Sequence, residues 1–264
     1  MDTERLGEQV AALGPWFHNL HLPGGVETAP GHRFGDFPAF KWRQICDELP
    51  EDMRGMRALD IGCNAGFYSF AMAQRGAEVL GIDFDARYLR QARWAAEILD
   101  IGNVTFEQRS VYQLADLPGR FDVILFMGVL YHLRYPLLAL DMLSSLRPGL
   151  LIFQTLTFGE DDGPHEPEAP ADFDSRDRLA RPDWPHLAFI ETTFADDPTN
   201  WWAPNAAAAE AMLRSAGFRV LSRPAHEFYV CVPAEGGLPA QAGASLDEAL
   251  PAACRLRKIE EFQE

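Results

Sequence analysis

The sequence predicts an α/β protein with a mostly parallel sheet and helices on both faces, and three observations predict it. From Met56 onward, short apolar runs alternate regularly with helical patterning, as consecutive βα units do. The run Leu59-Asp60-Ile61-Gly62-Cys63-Asn64-Ala65-Gly66-Phe67 reads as a buried strand, a glycine-bearing turn and the start of a helix. Glycine there permits φ > 0 and lets a ligand approach the backbone. A second strand ends at Asp83, 23 residues beyond Asp60, where an acidic side chain accepts hydrogen bonds from a ribose. The glycines do not spell a dinucleotide fingerprint, because Gly62 and Gly66 flank Asn64 and leave no glycine where a pyrophosphate needs one.

In chain order, residues 3–13 predict a short helix. An aromatic, glycine-rich stretch follows from Trp16 to Phe40, carrying His18, His21 and His32. It is too aromatic for a plain disordered tail, so it is expected to cover part of the fold. Residues 41–49 resume helical patterning as far as Pro50. Strand 57–61 then leads to helix 66–75, and strand 77–82 to helix 86–100. Strands 103–108 and 121–127, helix 136–146 and strand 149–157 continue the alternation. Residues 159–202 interrupt it with Pro, Asp and Glu. A loop of that length is functional or disordered, and Trp184, Phe189, Ile190, Trp201 and Trp202 give it material to pack, so a lid is expected. Helix 206–216 starts after Asn205, a good N-cap, and stops at Gly217. Strands 218–223 and 227–232 bring the sheet to seven, and a loose tail with a short terminal helix follows Pro233. The expected division is a cap segment over 1–50, a main domain over 51–232 with the lid at 159–202, and a tail over 233–264.

With 264 residues and 47% hydrophobic composition, one α/β domain with extensions is the natural expectation. No apolar run approaches the length of a membrane span, and Met1-Asp2-Thr3-Glu4-Arg5 lacks the basic and apolar regions of a secretion signal. A cytoplasmic protein with no membrane association is therefore expected. The cysteines (Cys46, Cys63, Cys231, Cys254) show no paired metal spacing, and the expectation is reduced thiols and no metal. The three N-terminal histidines with Asp36 are too scattered to read as a ligand set. A net charge of −16 weighs against a general nucleic-acid binder. Arg87, Arg90 and Trp94 share one face of the predicted helix; a solvated face is favoured over a contact patch.

The strand-turn-helix motif resembles motif I of the class I S-adenosylmethionine (SAM) methyltransferases, which implies their Rossmann-like fold and SAM as cofactor. The implied roles follow residue by residue. Asp60 orients the turn and engages the aminopropyl end of SAM, while the backbone of Gly62, Cys63, Asn64 and Gly66 lies beside it. Asp83 holds the ribose, Phe84 packs on the adenine, and Ser110-Val111 meets the adenine edge. Met127 lines the methyl side.

A more specific run, Met127-Gly128-Val129-Leu130-Tyr131-His132 with Leu133-Arg134-Tyr135-Pro136-Leu137 and Gln154-Thr155-Leu156, resembles the carboxy-SAM-dependent tRNA wobble-uridine carboxymethyltransferases and the 5-methoxyuridine methyltransferase-like proteins. The resemblance covers roughly residues 40–157. It implies that Met127 and Tyr131 line the cofactor and acceptor pocket and that Lys41, before Trp42, contacts the cofactor. Three family features are absent. No lysine lies near His18 to Gly25, Asp36 stands where the family has tryptophan, and Glu227 stands near its closing arginine. Losing two cations and gaining two carboxylates disfavours a carboxylated cofactor, so ordinary SAM is expected.

His132 is the candidate general base, since its intrinsic pKa suits that chemistry; the competing role is to brace Tyr131, which orients the acceptor. The expected activity is methyl transfer to a hydroxyl of a small molecule. The alternatives are methylation of a tRNA wobble 5-hydroxyuridine and SAM binding without catalysis.

Overall fold

A computed structural model describes residues 2–160, 163–239 and 242–243. The expected terminal helix of the tail, with Cys254, lies outside the described residues. Seven strands form one sheet, and two short hairpins stand apart from it. The chain divides into two compact units, the first built from residues up to 113 with 119–126, the second from 114–118 and 127 onward.

In the first unit, helix α1 (Thr3–Leu13) begins where the Asp2 side chain accepts from the Glu4 amide at 3.1 Å. Strands β1 (His21–Leu22) and β2 (Val26–Glu27) make a small antiparallel hairpin. The helix expected over 41–49 is broken into one α-turn, α2 (Ala39–Trp42), and a 3-10 turn at Cys46–Glu48. The cause is Arg75, whose Nη1 draws in the carbonyls of Cys46, Leu49 and Pro50 at 2.8–3.2 Å while its guanidinium lies over the Trp42 ring. Strand β3 (Arg57–Ile61), helix α3 (Phe67–Gln74), strand β4 (Glu78–Asp83), helix α4 (Ala86–Ile98), strand β5 (Val104–Gln108) and strand β6 (Val123–Met127) follow. Strand β3 pairs in parallel with both β4 and β6, and β4 with β5. Every residue of β6 is buried, which explains why Val123-Ile124-Leu125-Phe126-Met127 is continuously apolar rather than alternating.

The N-terminal segment shares the core of this unit. Leu6, Val10, Leu20 and Leu22 cluster with Cys63, Ala65, Phe70, Leu89, Ala92, Ala95 and Phe106. Trp94 packs on Trp16, ring centroids 5.7 Å apart, so it belongs to this core rather than to a contact patch with Arg90. Buried Gln91 pins the same segment, donating through Nε2 to the carbonyls of Leu13 and Pro15 at 2.9 Å each.

In the second unit, helix α5 (Pro136–Ser145) opens on proline at its first turn, where a missing N–H costs nothing. Strand β7 (Leu150–Gln154) is shorter than the 149–157 expected. Past Gln154 the Thr157 amide leaves the ladder and donates to Glu227 Oε1 at 2.7 Å. The region expected to form a lid holds a 3-10 stretch at Phe173–Ala180 and the pairing of β8 (Leu187–Phe189) with β9 (Trp202–Pro204). Helix α6 (Ala206–Ser215) is capped by Asn205, whose side chain accepts from the Ala208 amide at 2.9 Å. Strands β10 (Phe218–Ser222) and β11 (Phe228–Pro233) are antiparallel to one another, and β11 is antiparallel to β7. The order across the sheet is β10-β11-β7-β6-β3-β4-β5. No helix among the described residues is long and apolar enough to cross a membrane.

Replacing Gln91 with alanine removes the donor shared by two part-buried carbonyls and empties a buried side-chain position. It is expected to cost about 2 kcal/mol in urea unfolding and to expose the chain near residues 14–16 to limited proteolysis.

Candidate functional site

The first unit holds one cluster, built around the turn after β3. The amides of Gly62 and Cys63 both donate to the Ile82 carbonyl, at 2.8 and 3.0 Å. Gly62 (φ 72°) and Asn64 (φ 50°) take left-handed backbone, which glycine and asparagine tolerate best. The Asn64 amide then donates to Asp83 Oδ2 at 2.9 Å. Gly66, also left-handed at φ 89°, caps α3, and a Cβ there would lie 2.8 Å from the Phe70 ring. The backbone from Gly62 to Gly66 is thus folded into a bare cradle at a helix N-terminus, which favours negative groups.

Two carboxyl groups serve this turn. Asp83 Oδ2 takes the Asn64 amide and Oδ1 the Asp85 amide at 2.9 Å, and each carboxylate oxygen retains a further lone pair for a hydroxyl donor. Burial raises its pKa above the usual carboxylate value despite these bonds. Asp60 is only 2% exposed, and its Oδ2 accepts from Ser69 Oγ at 2.6 Å. Desolvation pushes Asp60 up to about 7, with Asp83 adding to the rise and Ser69 opposing it. Ser69 was not expected from sequence; one small polar residue inside the apolar run of α3 was the available signal. Burial likewise pushes the Cys63 thiol well up, as expected of a core cysteine.

The remaining predicted cofactor residues of this unit occupy different settings. Phe84, next to Asp83, is 77% exposed, as a side chain that packs on a ligand would be. The Ser110 amide is already taken by Gln113 Oε1 at 2.9 Å, closing a local turn, while Val111 is buried. Lys41 lies over the Phe37 ring at 5.7 Å. It also acts electrostatically on His18, which is buried beside Phe37, Phe67 and Tyr68 and is lowered to about 3 by desolvation, His32 and Lys41. His18 is therefore a neutral ring in an aromatic wall. Asp36 is tied to His21 at 2.8 Å and to Asn19 at 3.2 Å. Among the described residues, no three His, Cys, Asp or Glu side chains gather where they could hold a metal ion.

The second unit holds a second cluster, after β6. Met127 is buried and Gly128 turns through φ 73°. A Cβ at 128 would meet the Tyr131 hydroxyl at 3.5 Å and Gln154 Oε1 at 3.8 Å, so these two polar groups converge on Gly128. Gln154 Nε2 donates to Glu227 Oε2 at 3.0 Å. Glu227 is fixed further by the Thr157 amide and hydroxyl and sits at φ 69°, a conformation that glutamate adopts only when its surroundings impose it. Burial, with Glu227 and Asp197 nearby, pushes Tyr131 up to about 12, which keeps it a hydroxyl.

His132 packs at a tilt against Tyr131, with ring centroids 4.2 Å apart. Its Nδ1 lies 2.9 Å from Thr199 Oγ1 and 3.8 Å from Asp197 Oδ2. Burial lowers its pKa, opposed by Asp197 and Thr199. The Trp201 amide donates to the Tyr131 carbonyl at 2.8 Å, so the segment after β8 is bonded to Tyr131–His132. Two arginines of the region expected to form a lid are engaged within the unit: Arg178 bonds Glu168 at 3.0 Å and covers Trp184, and Arg176 lies over Phe173.

Because folded Asp60 keeps a proton that the unfolded chain releases near pH 4, stability falls as pH rises from about 4 to about 7 and levels off above. Asp60→Asn is expected to flatten that slope in urea titrations and to be more stable than the parent at pH 8, by about 2–4 kcal/mol.

Residues 52–180 match the family model described as a methyltransferase domain. The chain is 30% identical over 181 residues to a tRNA U34 carboxymethyltransferase from Desulfotalea psychrophila, covering 67% of this chain and 49% of that protein. It is 39% identical over 103 residues to a ubiquinone biosynthesis O-methyltransferase from Leptothrix cholodnii, covering 38% of this chain and 43% of that protein. The chain thus spans about half the length of these curated relatives. The N-terminal domain of EvdMO1, solved with SAH and D-fucose, superposes with a TM-score of 0.62 at 24% identity, over 89% of this chain and 97% of that one. That likeness concerns the fold. The matched domain and the sheet order agree: residues 52–180 carry a methyltransferase domain, on the fold of the class I SAM-dependent methyltransferases.

Proposed function

We propose that the protein moves a methyl group from SAM to a hydroxyl of a small molecule. The residues of the first unit fit that cofactor: the buried Asp60 and half-buried Asp83 carboxyl groups suit a ligand that brings cations and ribose hydroxyls, and the N-terminus of α3 suits its carboxylate. When bound, SAM supplies an electrophilic methyl on a sulfonium. Asp83 accepts from the ribose, Phe84 packs on the adenine with Val111 beside it, and Lys41 completes the anion-binding side. Ser110 contributes through its carbonyl or hydroxyl, its amide being in use.

The observation that carries the reading is Glu227. A carboxylate locked by three hydrogen bonds close to Tyr131, where the resembling family has arginine, opposes a second carboxylate. It therefore supports methyl rather than carboxymethyl transfer. Tyr131, held as a hydroxyl, orients the acceptor without losing its proton, and Met127 lines the apolar side. His132 takes the acceptor's proton as the oxygen–carbon bond forms and the sulfur keeps the electrons of the bond that breaks. Positioning supplies much of the rate in such a transfer, and the base adds to it. The relatives named for tRNA U34 support a second reading, a wobble 5-hydroxyuridine acceptor.

Methyl-labelled SAM incubated with the protein and a cell extract tests both readings. Label is expected in the small-molecule fraction, abolished by Asp83→Ala and lowered about 10²–10⁴-fold by His132→Gln. Label in RNA, released by nuclease, sinks the small-molecule reading.

A further inference from the structure

The loop between β8 and β9 places two polar side chains on His132. Thr199 Oγ1 lies 2.6 Å from Asp197 Oδ1 and 2.9 Å from His132 Nδ1, and the Thr199 amide also donates to Asp197 Oδ1 at 2.8 Å. A threonine hydroxyl has one proton to give. The two candidate acceptors are a carboxylate, which can only accept, and an imidazole nitrogen. The bond to the carboxylate is charge-assisted, and 2.6 Å is the length of an O–H···O⁻ bond, so the proton is directed to Asp197. Thr199 Oγ1 then presents only lone pairs to His132, and Nδ1 must bring the hydrogen. Desolvation would raise Asp197, but the hydrogen bonds from Thr199, with His132 beside it, hold it below the usual carboxylate value and keep it an anion. Burial keeps His132 below its ordinary value. A neutral imidazole carries one N–H, and with that hydrogen on Nδ1, Nε2 is the basic atom.

We propose that Asp197 and Thr199 are positioning residues that hold His132 in its Nδ1–H form and so present Nε2 as the proton acceptor. The consequence for catalysis rests on the base role of His132 argued above; the tautomer itself does not. As the acceptor oxygen gains the methyl group, its proton passes to Nε2. The imidazolium formed keeps its Nδ1–H bond to Thr199, with Asp197 Oδ2 at 3.8 Å to offset its charge. The groups against the ring are Asp197, the Thr199 hydroxyl and the Thr199 backbone from the loop, and Tyr131 on its own segment. Because Asp197 and Thr199 belong to the lid, an ordered lid and a correctly protonated base become one condition.

Side-chain ¹⁵N NMR of the histidine-labelled full chain, without cofactor or acceptor, tests the proposal, with His132→Gln assigning the resonance. The parent and Thr199→Ser are expected to show Nδ1–H at His132, and Thr199→Val to shift toward the Nε2–H form that free imidazole prefers. Asp197→Asn is expected to lower the His132 titration by up to about 0.7 unit, the most that one exposed ion pair supplies. In the labelled-SAM assay, the acidic limb of the pH profile should move down by the same amount in Asp197→Asn. A merely structural role would reduce the rate equally at every pH. Nε2–H in the parent, or a tautomer unchanged by Thr199→Val, overturns the proposal. If no transfer is seen in any fraction, the acceptor reading fails while the NMR result still decides this one.

Discussion

The Ile82 carbonyl and the Asp83 carboxylate, at the end of β4, fix the turn around which the first unit is built. The carbonyl receives two successive amides, Gly62 and Cys63, and the carboxylate receives a third, Asn64. Three donors that the turn would otherwise leave unpaired are satisfied by the neighbouring strand, which meets the general demand that buried backbone groups find partners. The left-handed backbone at Gly62, Asn64 and Gly66 follows from this constraint, and so does the approach of α3 with its N-terminus over the turn. Asp83 also takes the Asp85 amide, and Asp85 in turn caps α4. One carboxylate therefore links the turn, the strand end and the next helix before any ligand is bound.

Electrostatics then define what this half can hold. Asp60 is buried and Asp83 half-buried within a chain of net charge −16, and desolvation works against ionising either of them. Perturbed carboxyl groups of this kind concentrate at functional sites. The neutral, aromatic-walled His18 and the cation Lys41 complete an N-terminal segment that belongs to the same core as the cradle.

In the second unit the same economy of charge appears with a different outcome. Glu227 accepts a left-handed backbone to deliver its carboxylate to Gln154 and Thr157. Burial, with the charges of Glu227 and Asp197 adding to it, holds Tyr131 in the hydroxyl form. The segment between β8 and β9 is anchored by the bond from Trp201 to Tyr131 and by the Thr199 contact with His132, and Arg176 and Arg178 before it are occupied by Glu168 and by aromatic rings.

The sequence by itself determined the α/β class, the seven strands, the cradle and the acidic tip of β4. Each of these is written locally: in the period of apolar residues, in glycines where φ must be positive, and in caps such as Asn205 that act within one turn. It also placed Met127, Tyr131 and His132 together, because they are adjacent in the chain. Only the tertiary structure decided what these groups meet. Ser69 on Asp60, Gln113 on the Ser110 amide, Arg75 breaking the helix after Trp42, and Thr199 and Asp197 on His132 leave no periodic trace. Most of these partnerships join residues far apart in the chain, and each is selected by the need to satisfy a desolvated polar group rather than by any repeating pattern.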